Sequence, residues 1–337
     1  MSRGARRRQR QQPRTLQVFL IIVLVLLTVC VLVKAFFLKA PEQKAAELPA
    51  QPASSDTDSQ QSPEEQAAQE ALRSHLERKG GFYTILLSGL DDDNGGSDTN
   101  ILVAVDTVNG YVYGVSIPRD SKAIIDGKAR KINYAYNKGG TELLADTVSE
   151  QLGIPVDYTV SVNLKGFTAL VDAIGGVDFD VPINMDYDDP IQNLSIHFKK
   201  GVQHLSGADA LRVVRFRHNN DGSGYGSEDL GRMATQQKFL KAVAKKMLSA
   251  GNILTKIDDY AKIFNQYVDT NLTVGNLAWL GTEVLKMGVD KIDFSTLPNA
   301  WKYPYIYLDP TETLTLVNTY LNPYVEDRTA EDLHLPS

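Results

Sequence analysis

The sequence contains one cysteine among 337 residues, and its five histidines show no spacing typical of metal ligands. One cysteine forms no internal disulfide and excludes a zinc site built from cysteines. A P-loop is also missing, because the glycine-rich run 222–226 lacks the lysine that such loops require. Wholesale disorder is excluded, since 43% of the residues are hydrophobic and 23% are charged. The composition is that of a folded protein.

Basic residues are scarce outside the first 15 positions. That tail carries six arginines and no acidic residue, which leaves 29 basic and 41 acidic groups in the rest of the chain. Non-specific nucleic-acid binding depends on cationic side chains that neutralise phosphates. The acidic body therefore predicts no nucleic-acid partner.

One long apolar run follows the basic tail. Positions 16–33 carry no charge, and the apolar character continues past Lys34 to Leu38. At about 1.5 Å per residue, this run crosses a hydrocarbon core of ~30 Å. It exceeds the apolar part of a cleaved signal peptide, and no small-residue cleavage site follows promptly. Arginines before the run place the N-terminus in the cytoplasm. We expect a cytoplasmic tail (1–15), a single transmembrane helix (16–38) and an extracellular remainder.

Behind the predicted anchor, a linker over 39–80 precedes a domain over 81–337. Residues 40–68 are rich in alanine, glutamine, serine, proline and glutamate, which is typical of a disordered tether. The domain has predicted strands at 82–89, 101–105, 111–117, 158–162, 177–181, 211–216 and 291–297. Predicted helices lie at 141–152, 165–173, 230–248, 256–268, 276–287 and 311–321. This interleaving predicts a three-layer α/β/α fold with one mixed central sheet, preceded by the transmembrane helix.

Polar residues cluster at the ends of several predicted elements. Asp91 and Asp98 lie in a loop directly after the first strand, where carboxylates suit Mg²⁺, although acidic residues are also common in plain turns. Arg119 follows Pro118 at a strand end and is either an anion clamp or one partner of a rim ion pair. If 211–216 is a strand, Arg215 and Arg217 share one face. Paired guanidiniums of this kind suit a phosphate, the alternative being a solvated strand face.

A further cluster opens the long helix at 230–248. Arg232 and Gln236 are four residues apart and share a helical face. Asp229 either caps the helix or accepts a proton from an attacking hydroxyl. Acids for a metal, several arginines and a base are together the groups that phosphoryl transfer requires.

In their order along the chain, these motifs resemble the LytR-CpsA-Psr family of bacterial wall enzymes over about residues 82–248. The matching segments are GLD at 89–91, SDT at 97–99, SIPRD at 116–120, KINYAY at 131–136, Gly139-Gly140, VDAIGGVDFDVP at 171–182, 201–207 with Ala210-Leu211, RFRH at 215–218 and DLGRMATQQ at 229–237. The resemblance implies an α/β/α fold in a Gram-positive cell membrane. It also implies a phosphotransferase that moves a glycopolymer from polyprenyl pyrophosphate to the 6-hydroxyl of N-acetylmuramic acid in peptidoglycan, forming a phosphodiester.

The resemblance also implies roles for individual residues. Asp91 and Asp98 are expected to hold Mg²⁺ or Mn²⁺, and Asp229 is expected to act as the base. The pyrophosphate ligands, of which the first three are also catalytic, are expected to be Arg119, Arg215, Arg217, Arg232 and Gln236. The partners are the lipid-linked glycan, peptidoglycan and the membrane, and no obligate protein partner is evident.

Two departures from the family pattern keep other functions open. Gly96 and Thr235 stand where the family often has arginine. The alternatives are a polyprenyl-pyrophosphate binder or a pyrophosphatase without glycan transfer, and the least favoured is a transcriptional attenuator. Residues 249–337 match the family motifs poorly and either complete the fold or contact the acceptor glycan.

Overall fold

The computed structural model describes residues 38–44, 75–90, 96–191, 194–226, 228–247 and 257–337. The predicted transmembrane helix, except Leu38, and most of the predicted linker lie outside these residues. Within the described ranges, no helix is both long enough and apolar enough to cross a bilayer.

In chain order the described residues form two sets of elements. The strands are β1 Phe82–Leu90, β2 Ser97–Asp106, β3 Tyr111–Ile117, β4 Lys122–Ile125, β5 Lys128–Lys131, β6 Tyr158–Asn163, β7 Val177–Val181, β8 Met185–Asp189, β9 Leu194–Phe198, β10 Gly201–Leu205, β11 Val268–Thr270, β12 Ile292–Thr296, β13 Asn299–Lys302 and β14 Tyr305–Leu308. The α-helices are α1 Asn133–Leu152, α2 Leu164–Ala173, α3 Gly207–Arg215, α4 Glu228–Met247, α5 Ile257–Tyr267, α6 Val274–Met287 and α7 Pro310–Leu316.

Six strands form the central sheet, in the order β11-β6-β1-β2-β3-β12. The pairs β1–β6 and β3–β12 are parallel, and the other three neighbouring pairs are antiparallel. The predicted mixed sheet is therefore confirmed. A tight turn joins β2 to β3, because the Asp106 carboxylate accepts hydrogen bonds from the backbone of Val108 and Asn109, and Gly110 adopts a φ of 73°.

Both faces of this sheet are apolar, because side chains alternate along each buried strand. Phe82 and Leu86 of β1 pack with Leu144 and Val148 of α1 on one face. Tyr83 and Ile85 of β1 point to the opposite face. There they pack with Leu280 of α6 and Leu240 of α4. Helices thus cover the sheet on both sides.

A second apolar core adjoins the sheet. It combines β7, β8 and β9 with the helices α2, α3 and α4, and Phe239 of α4 lies at its centre with no exposed surface. Phe239 packs against Phe167 of α2 and Phe179 of β7 at centroid distances of 5.7 and 5.3 Å. Since α4 also contacts the sheet through Leu240, this helix joins the two cores.

The prediction of a strand at 211–216 is wrong, because these residues belong to α3 and its cap. Ser206 caps the helix by accepting a hydrogen bond from the Asp209 amide. Ala210 and Val213, three residues apart, are both fully buried, which a helical stripe explains and a strand does not. The helix ends where Phe216 turns to extended geometry. Arg215 therefore ends α3 and Arg217 lies in the following loop, so they do not share a strand face.

Residues 38–44 lie against the domain. Asn276, at the start of α6, donates a hydrogen bond to the Lys39 carbonyl at 2.9 Å. Gln43 donates to the carbonyls of Lys79 and Phe82, both at 2.7 Å. The Lys44 carbonyl accepts a hydrogen bond from Arg78. This segment is held at the end of β1 that lies away from Leu90.

Residues 257–337 complete the fold. They supply β11 and β12, which are the two edge strands of the central sheet, and α6, which covers one of its faces. Further along, Arg328 is 3% exposed, and it contacts the Tyr324 ring and the His75 carbonyl. This part of the chain is integral to the core.

Candidate functional site

A cavity of about 610 Å³ lies between the central sheet and the second core. Its walls come from the C-terminal halves of β1 and β6 and from α2, α3 and α4. The body of the cavity is apolar, with walls that include Leu87, Val160, Phe167, Leu170, Val214 and Leu240. A cavity with such walls favours an apolar ligand.

Polar residues that the sequence singled out line the same cavity. They are Asp98, Arg119, Arg215, Arg217, Arg232 and Gln236. The structure thus brings together six of the eight predicted site residues. Asp229 lies in the first turn of α4, and Asp91 lies outside the described residues. Four guanidiniums on one cavity repel each other unless anionic groups are present, so the arrangement suits an anion.

The antiparallel pairing of β2 and β3 brings Arg119 to Asp98. Asn100 pairs with Ile117 in the register of the two strands, so the start of β2 lies beside the residues that follow β3. Arg119 donates from Nη1 to Asp98 Oδ1 at 2.8 Å, and the two side chains are 25% and 40% exposed. Arg119 is therefore both an ion-pair partner and part of the cavity wall.

The segment that bears Arg215 and Arg217 is fixed on both sides. Phe216, between them, is 1% exposed and packs edge-on against Tyr225. Behind it, Asn219 and Asn220 bind the backbone of β8. Their side-chain oxygens accept hydrogen bonds from the amides of Asp186 and Asp188, at 2.7 and 2.6 Å. The Asn220 side chain also donates to the Asp188 carbonyl.

Arg232 and Gln236 reach the cavity from consecutive turns of α4. Arg232 is only 7% exposed, and a buried guanidinium requires anionic or polar partners. Gln236 donates to the Val214 carbonyl at 3.1 Å, which ties α4 to α3. The next residue, Gln237, donates to Ser116 Oγ and to the Ser295 carbonyl at the end of the central sheet. These bonds set the position of Arg232 relative to Arg215.

The structure shows what surrounds Gly96 and Thr235, the two positions where the family often has arginine. Gly96 has a φ of 138°, and a Cβ there would lie 3.0 Å from Asn137 Oδ1, so any larger side chain is strained. Thr235 is 2% exposed, and its hydroxyl lies 2.9 Å from both the Tyr225 hydroxyl and the Gly231 carbonyl. Burial raises the pKa of Tyr225, and its hydrogen bond with Thr235 opposes the increase. Thr235 thus fixes α4 to the segment before it.

Two buried side-chain oxygens lie within two residues of Asp98 in the sequence of β2. Ser97 Oγ and Asn100 Oδ1 are buried and have no hydrogen-bond partner among the described residues. Within the same ranges, no group of three or more histidine, cysteine, aspartate or glutamate residues converges as a metal site. The Asp98 carboxylate is a hard oxygen ligand, which fits a cation such as Mg²⁺ and does not fit a soft one.

Sequence reasoning missed the cavity walls and the two asparagines. Val160 and Phe167 are ordinary core residues by type, and only the packing of separate elements shows that they face an opening. Asn219-Asn220 directly follows the arginine motif, and this adjacency was the one available signal.

The chain was compared with known proteins. The family model LytR_cpsA_psr, described as the LytR_cpsA_psr family, matches residues 48–321. A relative from Bacillus subtilis (strain 168), named polyisoprenyl-teichoic acid–peptidoglycan teichoic acid transferase TagV, is 37% identical over 202 residues, covering 57% of this chain and 50% of that protein. TagU from Bacillus cereus, whose name gives the same activity, is 36% identical over 195 residues, covering 56% of this chain and 60% of that protein. The chain thus spans about half the length of these relatives.

Two solved structures are similar in fold. The crystal structure of B. subtilis TagV gives a TM-score of 0.61 at 31% identity, covering 72% of this chain and 96% of that one. A structure of TagT bound to LI-WTA gives a TM-score of 0.56 at 25% identity, covering 70% of this chain and 88% of that one.

Proposed function

The chain belongs to the LytR-CpsA-Psr family, and from this premise we propose that it is a phosphotransferase anchored in a Gram-positive cell membrane. Its donor is a glycopolymer on polyprenyl pyrophosphate. Its acceptor is peptidoglycan, at the 6-hydroxyl of N-acetylmuramic acid, and the product is a phosphodiester. The names of the relatives favour teichoic acid as the polymer. The observation that carries the proposal is one cavity whose walls hold four arginines together with many apolar side chains.

We propose that the four arginines of the cavity bind the pyrophosphate. Arg119, Arg215, Arg217 and Arg232 approach from a strand end, a helix end, a loop and a second helix, and Gln236 adds an amide. Guanidiniums bind phosphate oxygens through paired hydrogen bonds. Since the donor brings negative charge to a cluster of cations, binding relieves their mutual repulsion. The lipid tail then occupies the apolar walls formed by residues such as Phe167 and Leu240.

In the transfer step, the acceptor hydroxyl oxygen attacks the phosphorus that bears the glycan. The new P–O bond forms as the bond to the bridging oxygen breaks, and polyprenyl phosphate leaves. The hydroxyl proton passes to a base, for which we propose Asp229. Arg119, Arg215 and Arg217 stabilise the charge that develops on the phosphate oxygens, because they are already in place before the reaction.

We also propose that Asp98, together with Asp91, holds Mg²⁺ or Mn²⁺. The position of the Asp98 carboxylate on the wall of the cavity that the arginines line supports this. When bound, the cation supplies positive charge to the pyrophosphate. Apart from that contribution, the described residues bind and orient the donor.

The proposal places residues 1–15 in the cytoplasm, 16–38 in the membrane and the domain outside. The six arginines before the apolar run support this orientation. With the partner lipid in the same membrane, anchoring raises the local concentration of donor.

A direct assay tests the function. The full chain is incubated in detergent with a lipid-pyrophosphate glycan and peptidoglycan fragments, with and without Mg²⁺. We expect a phosphodiester between the glycan and muramic acid, and much less of it without the cation. Free phosphorylated glycan as the only product identifies a pyrophosphatase instead, the alternative that Gly96 and Thr235 keep open. Absence of any product contradicts both activities.

A further inference from the structure

A hairpin rich in aromatic residues lies next to the candidate site. Residues 299–308, hereafter the aromatic hairpin, comprise β13, β14 and the turn between them. The Ile306 amide donates to the Asp120 carbonyl at 2.9 Å, and Asp120 directly follows Arg119. Ser121 forms an isolated bridge with Ile306, so the aromatic hairpin lies beside the residues that join Arg119 to β4. Lys122, which begins β4, is three residues from Arg119. The Cα atoms of these two residues are therefore at most about 11 Å apart.

The aromatic hairpin displays its rings to solvent. Tyr303 at the turn is 86% exposed and Trp301 is 59% exposed. Trp301 pairs with Ile306 in the register of the aromatic hairpin. Tyr305 and Tyr307 flank Ile306 and therefore point to the opposite face from Trp301. Exposed apolar side chains that lie together mark binding surfaces more often than single ones do. Within the described ranges, neither Trp301 nor Tyr303 contacts another ring or a cation.

Cations border the aromatic hairpin. Lys122 Nζ and Lys302 Nζ lie 5.0 and 5.7 Å from the centre of the Tyr307 ring. Both are cation–π contacts. Lys122 also donates to the Ser337 carbonyl. The positive charge therefore lies on the Tyr305 and Tyr307 face of the aromatic hairpin, opposite Trp301. A ligand whose sugar rings contact Trp301 and Tyr303 can place its carboxylates near these cations.

We propose that the aromatic hairpin binds the glycan strand of peptidoglycan and presents it to the arginines of the cavity. This inference rests on the proposed function, because it assigns the acceptor subsite of that reaction. The C–H groups on the face of a pyranose ring carry partial positive charge and contact the negative face of an aromatic ring. The peptide stems of peptidoglycan carry carboxylates that the two lysines attract. A polyol phosphate chain has no ring faces, so the donor polymer matches the rings less well.

The test measures binding separately from catalysis. The full chain in detergent is sedimented with purified peptidoglycan sacculi stripped of wall polymer. The test variants are Trp301→Ala, Tyr303→Ala and the double variant, and the matched controls are Ile191→Ala and Val108→Ala, which are 97% and 74% exposed elsewhere on the surface. Melting temperatures report folding. Tyr303→Ala keeps the test valid if Trp301→Ala misfolds, because a side chain that is 86% exposed adds little to the fold.

We expect the double variant to lower the affinity for stripped sacculi about tenfold, with the single variants between it and the wild type. The controls should bind like the wild type. In the transfer assay, the double variant should raise the KM for peptidoglycan fragments while kcat and the KM for the lipid donor stay unchanged. Lys302→Gln should make sacculus binding less dependent on salt concentration.

Unchanged binding and unchanged acceptor KM in the double variant overturn the inference, even when transfer occurs. Binding that requires wall polymer on the sacculi also overturns it, because the occupant is then the anionic polymer. If the wild type binds stripped sacculi through these residues but makes no phosphodiester, the proposed transfer fails while the peptidoglycan surface stands.

Discussion

The four arginines of the cavity come from three segments of the sequence, at 119, 215–217 and 232. Asp98 pairs with Arg119, and the buried Phe216 separates Arg215 from Arg217. Arg232 is itself buried on α4. A cluster of like charges is unfavourable in a folded protein unless anions lie nearby, which supports the proposed binding of pyrophosphate here.

Arg119→Ala and Arg215→Ala should each abolish transfer while the fold survives. Each change removes a cation that, in the proposed mechanism, stabilises transition-state charge. The measurements are phosphodiester formation and the melting temperature. Arg212→Ala is the control, because Arg212 lies on the same helix as Arg215 but is 46% exposed and pairs with Asp209. Wild-type turnover in either cavity variant would disprove the role of the arginines.

Asn220→Ala should loosen the segment that bears Arg217. The change removes hydrogen bonds to the amide of Asp188 and to its carbonyl. We expect a loss of about 1–3 kcal/mol in unfolding free energy and a fall in kcat at saturating donor. The control is Asn109→Ala, in the turn between β2 and β3, at the end of β3 away from Arg119. It also removes a side-chain hydrogen bond, the one from Asn109 to the Asp106 carboxylate. It should leave kcat unchanged, and an equal fall in kcat in both variants would contradict a positioning role for Asn220.

Among the elements, the hairpin of β8 and β9 carries a histidine between two carboxylates. His197 Nδ1 lies 2.6 Å from Asp186 Oδ1, and Nε2 lies 3.3 Å from Asp188 Oδ1. The hydrogen bond to Asp186 is the main reason that the pKa of His197 is raised above its ordinary value. Charged His197 therefore stabilises the hairpin against which Asn219 and Asn220 pack.

The raised pKa fixes the direction of a pH effect. The stabilisation is complete below the ordinary histidine pKa and is lost as pH rises through the raised pKa of the folded protein. His197→Gln should therefore flatten the dependence of melting temperature on pH across that interval. NMR titration of the His197 ring supplies the pKa directly. A pKa at or below the ordinary histidine value would contradict this account.

Sequence patterns predicted the strands of the sheet centre well, because β1, β2 and β3 are continuous apolar runs with a clear turn. They failed at α3, where Val213, Val214 and Phe216 have strand-forming side chains. Packing against the second core overrides this local preference. The edge strand β11 has three residues and no periodic signal, so its pairing with β6 depends on the tertiary structure. The arginines were predictable as motif residues, whereas the cavity that joins them was not.

At the scale of the whole molecule, a buried ion pair links residues 38–44 to the central sheet. Arg78 donates to both oxygens of Asp157 at 2.8 Å and to the Lys44 carbonyl. Asp157, which is 5% exposed, also accepts from the Thr84 amide of β1. Residues 38–44, β1 and the start of β6 therefore depend on the same two side chains.

Arg78→Ala should destabilise the domain by about 3–5 kcal/mol, because it leaves a buried carboxylate without its cation. Chemical denaturation of the full chain in detergent measures the loss. Lys39→Ala removes an exposed pair with Glu42 and should leave the unfolding free energy nearly unchanged. Similar losses in the two variants would show that the buried pair has no special role.

Photo-crosslinking tests the central claim most directly, namely that one cavity holds the pyrophosphate and its lipid together. A polyprenyl pyrophosphate with a photoreactive group in its tail is bound to the full chain, illuminated and mapped by mass spectrometry. We predict labels on cavity walls such as Phe167, Leu170 and Leu240, and weaker labelling in Arg119→Ala. Labels confined to other surfaces, or equal labelling in that variant, would contradict the account.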